Sequence, residues 1–212
     1  MSFQTIEQIF ENNITWANKK KEEDPNYFSD LAKMQKPPYL WIGCSDSRVP
    51  PNTVTGTDPG EIFIHRNIAN VVVNTDLNLL SVLEYAVVHL GVQHVIVAGH
   101  YNCGGVKAAM SNQSFGMLDS WLSNIKTVYR LHEKELDAIE NLDARADRFA
   151  ELNVQEQVTN LANTNIIQNA WKEGKQIQVH GWVYDLYNGL LKPISKLDNS
   201  SDVSKIYAFE NL

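Results

Sequence analysis

Residues 94–105 read HVIVAGHYNCGG. Val95, Ile96, Val97 and Ala98 form an unbroken apolar run, mostly β-branched and too short for a helix, which predicts a strand buried on both faces. His100 and Cys103 follow at once, and Cys103-Gly104-Gly105 turns into a helix that continues to Ala109. Working back along the chain, Thr75-Asp76 opens the helix LNLLSVLEYAVVHL (77–90), stopped by Gly91. EIFIH (61–65) is a strand introduced by Asp58-Pro59-Gly60, and YLWIG (39–43) is another, set off by Lys36-Pro37-Pro38. Working forward, 118–140 and 143–172 carry helical period and end near Gly174, and IQVHGWVYDL (177–186) is a fourth strand. Strands alternating with helices predict an α/β fold with a mostly parallel β-sheet flanked by helices.

At the amino end, Phe3, Ile6, Phe10, Ile14 and Ala17 recur at helical spacing over 3–20, and the charged KKKEED closes the segment. An amphipathic arm ahead of the first strand needs a surface to cover, on its own domain or on a partner subunit. The chain reads as a single domain, 1–212, with an N-terminal helical arm (1–36), an α/β core (37–190) and a polar C-terminal tail (191–212). Of its 212 residues 43% are hydrophobic, enough for a substantial core, and the net charge of −7 argues against non-specific nucleic-acid binding. No apolar run approaches the roughly 20 residues that span a bilayer. The opening MSFQTIEQIFENN has no signal-peptide pattern, and two cysteines make no disulfide scaffold. These features lead us to expect a soluble cytoplasmic protein with no membrane or nucleic-acid partner.

Cys44 follows YLWIG as His100 and Cys103 follow HVIVAG, so all three fall at the carboxyl ends of expected parallel strands, where open α/β sheets place their sites. Asp46 can point the same way from an extended segment. Two thiolates, an imidazole and a carboxylate make a soft four-coordinate set that suits Zn²⁺. Three other readings stay open on spacing alone: cysteines as small buried hydrophobes, a hydrogen-bonded structural histidine, and a Cys44–Cys103 disulfide.

Cys44-Ser45-Asp46-Ser47-Arg48 and His100-Tyr101-Asn102-Cys103-Gly104-Gly105 together resemble the two signatures of the β-class carbonic anhydrases. HRNIAN (65–70), HGWVYD (180–185) and the amphipathic arm are similar too, so the resemblance runs from about residue 3 to about residue 190. It implies a zinc enzyme interconverting CO₂ and bicarbonate, with one Zn²⁺ per subunit on Cys44, His100 and Cys103. It also implies an N-terminal arm packed on a partner subunit, in homodimers that pair into tetramers as dimers of dimers.

Asp46 then has two competing partners. On zinc it completes a tetrahedral site and leaves no place for water; on Arg48 it forms a bidentate ion pair and opens that place to the water that becomes the nucleophile. Charge counting favours the open form as the catalyst, because with water in place of the carboxylate the site is neutral and acidifies that water better, and activity is expected to rise with pH. The resemblance gives Gln35, Phe63, Ile68, Tyr85 and Gly104 as lining of the CO₂ pocket, some of them from the neighbouring subunit. It also resembles the bacterial branch that carries a non-catalytic bicarbonate site, here Trp41, Arg66 and Tyr184, whose occupation would inhibit by favouring Asp46 on zinc. Alternatives are a hydrolase of COS or CS₂ on the same site, a non-enzymatic zinc- or redox-sensing protein, and a structural zinc site closed for good. His65, His89, His94, His132 and His180 are proton-shuttle candidates by type only.

Overall fold

The computed structural model describes residues 4–211, so Phe3 lies outside the described residues. The chain divides into two compact units, Met1–Gln35 and Lys36–Leu212. In the first, α1 (Ile6–Glu23) starts at a capping box in which Thr5 and Gln8 satisfy each other's backbone N–H groups. The charged run expected to end this helix instead continues it to Glu23. Lys and Glu are good helix formers, Lys19 and Lys20 pair with Glu23, and Lys20 and Lys21 suit the negative end of the helix. After it comes α2 (Tyr27–Leu31), whose Tyr27 and Phe28 meet Trp16 edge-on at 6.4 and 5.6 Å. No described residue of α1 is buried, and Ile6, Phe10 and Ile14 stand exposed.

The second unit runs β1 (Tyr39–Cys44), α3 (Pro51–Thr55), β2 (Ile62–Asn67), α4 (Leu77–Glu84), β3 (His94–His100), α5 (Gly104–Met110), α6 (Leu118–Leu131), α7 (Glu133–Asp137), α8 (Leu142–Ala162), α9 (Asn165–Lys172), β4 (Gln178–Asp185) and β5 (Leu190–Leu197). The sheet order is β2-β1-β3-β4-β5. The first four strands pair in parallel, and β5 returns antiparallel along the edge. This is the expected α/β fold, with β3 at its centre.

The structure differs from expectation in three places. β5 falls mostly in the segment read as a polar tail, because its alternation is broken by Pro193, which an edge strand tolerates. The helix expected over 118–140 breaks at His132, whose backbone leaves the helical region. The helix expected over 143–172 breaks at Asn163-Thr164, where Thr164 caps a new helix by accepting from the Ile167 N–H.

Leu40, Ile42, Val95, Val97, Val179 and Val183 pack from the sheet against Leu79 and Leu83 of α4, Val154 and Val158 of α8 and Ile167 of α9. Each such aliphatic contributes about 1.5–3 kcal/mol through its removal from water. α8 comes unusually close to the strands. A Cβ on Gly99 would stand 2.6 Å from Val154 Cγ2, and one on Gly181 would stand 2.8 Å from Val154 Cγ1, so two glycines on neighbouring strands form the notch that receives Val154. On the opposite face Trp41, Ile96 and Ala98 form a smaller cluster with Val49. No helix among the described residues is long and apolar enough to cross a membrane.

Candidate metal centre

Cys44 ends β1, His100 ends β3, and Cys103 is the N-cap residue of α5. Because β1 and β3 are parallel neighbours, their carboxyl ends lie together, and one ligand atom from each of the three residues falls within 4.8 Å of the others. All three residues are buried, and both cysteines are free. Their sulfurs lie 3.9 Å apart. Two Zn–S bonds of about 2.3 Å meeting near the tetrahedral angle hold sulfurs at about this spacing.

His100 supplies the sharpest test of fit. Its side chain is wholly inaccessible to solvent. Nδ1 lies 2.9 Å from the Tyr101 carbonyl, which can only accept, so Nδ1 carries the proton and Nε2 presents a lone pair. That buried Nε2 has no hydrogen-bond partner. An unsatisfied buried polar atom costs about 1–3 kcal/mol, and a metal ion is the partner that this donor set suits. The sulfurs point the same way. Contact with the Cys103 thiol holds Cys44 down toward the thiolate against the effect of burial, while that same contact and burial push Cys103 up. Both ionise together only where a cation replaces the shared proton.

Asp46 stands beside this group on Arg48. Its Oδ1 accepts from Arg48 Nε and from the Arg48 backbone N–H, each at 2.9 Å, and Oδ2 accepts from Nη2 at 2.7 Å. These bonds hold the carboxyl well below the usual range against a burial effect that opposes them. Asp46 Oδ2 also lies 3.6 Å from His100 Nε2. Arg66 braces the same loop from β2, donating to the carbonyls of Cys44 (2.8 Å), Asp46 (2.5 Å) and Val49 (3.2 Å).

The other sequence candidates scatter. Ile68, partly exposed, follows β2 directly, and its Cγ2 lies 2.8 Å from where a Gly105 Cβ would be, which brings it to the start of α5. Gly104 faces open space. Phe63 pairs in register with Leu40, four positions before Cys44, and its ring packs 5.9 Å from Tyr85. Within one chain those two rings therefore sit about 13 Å down the strands from the ligands. Gln35 closes the N-terminal unit. Trp41 is buried with its indole over Gly43, Tyr184 pairs in register with His100, and Trp41 and Tyr184 border one cluster.

Sequence reasoning missed the support behind the ligands. The Tyr101 hydroxyl donates to Glu151 Oε1 at 2.6 Å, and the Asn102 N–H donates to Asp147 Oδ1 at 3.3 Å. Asn153 Nδ2 donates to the Ala69 carbonyl, and Gln157 Oε1 accepts from the Val72 N–H, which secures a loop in which Ala69 and Asn70 both have positive φ. All four polar residues lie on α8, where nothing in the local spacing separates them from a solvated face.

Three protein donors rather than four is the pattern of catalytic zinc sites, and a metal-dependent α/β enzyme is the class that this fold and centre define. A family model described as carbonic anhydrase matches residues 39–191. A carbonic anhydrase of Emericella nidulans is 52% identical over 207 residues, covering 96% of this chain and 90% of that protein. Among solved structures, a tetrameric β-carbonic anhydrase of Sordaria macrospora is 42% identical with a TM-score of 0.87, covering 90% of this chain and 98% of that one. A Coccomyxa β-carbonic anhydrase in complex with acetazolamide is 39% identical with a TM-score of 0.88, covering 92% and 89%. The chain belongs to the β-class carbonic anhydrase family and is a carbonic anhydrase.

Proposed function

We propose that the chain hydrates CO₂ reversibly to bicarbonate and a proton, using one Zn²⁺ per chain held by Cys44, His100 and Cys103. The observation that carries this is the orphaned Nε2 of His100 between two free thiols, next to an ionised Asp46. Zinc bound there supplies a Lewis acid that acidifies a water to a nucleophile near neutral pH. With zinc in place, Asp46 would accept a hydrogen bond from the activated water and orient it toward CO₂. Arg48 keeps the carboxylate charged and off the ligand group, and Cys44 and Cys103 bind as thiolates. Ile68 and the open space at Gly104 give CO₂ an apolar approach. Phe63 and Tyr85, remote from the ligands of their own chain, line the pocket of a second copy, together with Gln35. The arm packs on that copy, in a dimer or a tetramer. Free thiols suit the reducing cytoplasm.

The gate is Asp46 itself. Its Oδ2 lies 3.6 Å from His100 Nε2, so once released from Arg48 it would need only a short movement to join Cys44, His100 and Cys103 in holding a metal. Trp41, Arg66 and Tyr184 form the bicarbonate site of the switched, bacterial-type branch. Arg66 already donates to three carbonyls of the 44–49 loop, so a bicarbonate that recruits Arg66 competes with those carbonyls and loosens the loop carrying Asp46. The test is the initial rate of CO₂ hydration by zinc-loaded protein from about pH 6.5 to about pH 9.5, with and without added bicarbonate. The rate is expected to climb steeply with pH and to fall with bicarbonate, most at the acid end. No rate at any pH with zinc bound would sink the enzyme reading; a shallow, bicarbonate-insensitive rise would sink the gate alone.

A further inference from the structure

The bridge from His100 to Cys103 holds two residues, and both are tied from behind. The Tyr101 carbonyl accepts from His100 Nδ1, and its hydroxyl reaches Glu151 on α8. Glu151 is not alone there. Lys192 Nζ, from β5, lies 2.8 Å from the same Oε1, and Arg148 Nη1 lies 2.9 Å from Oε2. The Glu151 side chain is only 12% exposed. Two cations around a mostly buried carboxylate keep it ionised, and an ionised carboxylate offers acceptors only, so the phenol must donate.

We propose that Glu151, acting through Tyr101, is a positioning residue for the ligand His100. It fixes the peptide whose carbonyl sets the imidazole's tautomer and direction. The inference rests on the zinc reading above. The bridge needs holding, because Asn102 has φ 55, a left-handed conformation that residues other than glycine adopt uncommonly. Three other ties help: the Tyr101 N–H to the Tyr184 carbonyl at 3.0 Å, the Asn102 N–H to Asp147, and Arg48 Nη2 to the Asn102 carbonyl at 3.4 Å. The Tyr101–Glu151 bond is the shortest of the set, and it is made by the side chain of the residue whose carbonyl orients the ligand; Lys192 Nζ also donates to the same hydroxyl, at 3.3 Å. A ligating imidazole is held by the acceptor on its other nitrogen. Here the relay extends one step further, so that α8 and β5, remote in sequence, govern a ligand at the end of β3.

The experiment uses full-length protein as parent, Tyr101→Phe, Glu151→Gln and the double variant. Zinc affinity is read by competition with a chromophoric chelator, and ligand geometry by the visible absorption of the cobalt-loaded forms. Thermal unfolding of each metal-free form checks that it folds. Each single variant is expected to bind zinc about 10-fold more weakly and to shift the cobalt bands. The double variant should lose less than the sum of the two singles, because both act on the Tyr101–Glu151 bond: Tyr101→Phe removes it, and Glu151→Gln replaces its charged acceptor with a neutral amide. A bond that merely joined the bridge after β3 to α8 would move the unfolding temperature and leave the cobalt bands alone. A folded Tyr101→Phe protein with zinc affinity within about twofold of the parent and an unchanged cobalt spectrum would overturn the relay, as would additive losses in the double variant. The zinc reading is scored separately by Cys103→Ser, which should lose stoichiometric zinc; a parent that takes up no zinc would overturn both.

Discussion

Asp46 and Arg48 are separated by one residue, and the turn between them closes on a backbone hydrogen bond as well as two from the guanidinium. Arg48→Ala should lower kcat/KM about 10- to 100-fold while zinc content stays at the parent's level, measured by stopped-flow hydration and metal analysis. The pair also gives a pH signature. The folded chain holds Asp46 below its ordinary value, so between the folded and unfolded pKa the unfolded chain binds the extra proton. The stabilisation is complete above the ordinary carboxylate pKa of about 4 and is lost as pH falls below it. The gap in melting temperature between metal-free parent and Arg48→Ala should therefore be positive near neutral pH and shrink toward pH 3 or so. A gap that grows with acid would contradict the assignment. At this scale the centre was legible, because Cys44, His100 and Cys103 stand immediately after apolar runs that announce strand ends. Glu151 was not. Its role depends on where a distant helix lands, and ELNV carries no mark of it.

That landing is governed by the packing of α8. Val154 enters the notch made by Gly99 and Gly181, and the Gly181 side of the notch is closed further by Ser195 Oγ, 2.5 Å from where a Cβ would stand. Gly181→Ala should cost about 1–3 kcal/mol by forcing α8 and β5 outward. The melting temperature should fall several degrees, at about 2–4 °C per kcal/mol for a unit of this size. Gly104→Ala is the contrast: nothing lies within 4 Å of the added methyl, so its stability should stay within about 0.5 kcal/mol of the parent. Equal losses in the two would refute the notch. The parallel strands could be read from their apolar runs and turn residues. The breaks at His132 and Asn163-Thr164 could not, because local period is the same on both sides. β5 was hidden because Pro193 and its lysines disguise an edge strand that owes its place to pairing with β4.

At the scale of the whole molecule, α1 buries none of its residues: Trp16 packs on Tyr27 and Phe28 of α2, and Ile6, Phe10 and Ile14 stay exposed. Phe10→Glu with Ile14→Glu on the full chain should lower the mass measured by light scattering from that of the proposed dimer or tetramer, while leaving the far-ultraviolet spectrum of the fold in place. An unchanged mass would remove the arm from assembly. The register of the sheet also has a meaning for how the enzyme is made. All three ligands have been synthesised by residue 103, yet β4, which flanks β3, begins at Gln178, and Lys192 comes later still. At translation rates of about 5–20 residues per second, the ligands leave the ribosome several seconds before the structure that braces them exists. An ion captured by the nascent chain sits in an unsupported cradle and can be surrendered again. Secure metallation is thus a property of the finished chain, and ribosome-bound intermediates stalled before residue 178 should exchange their metal freely.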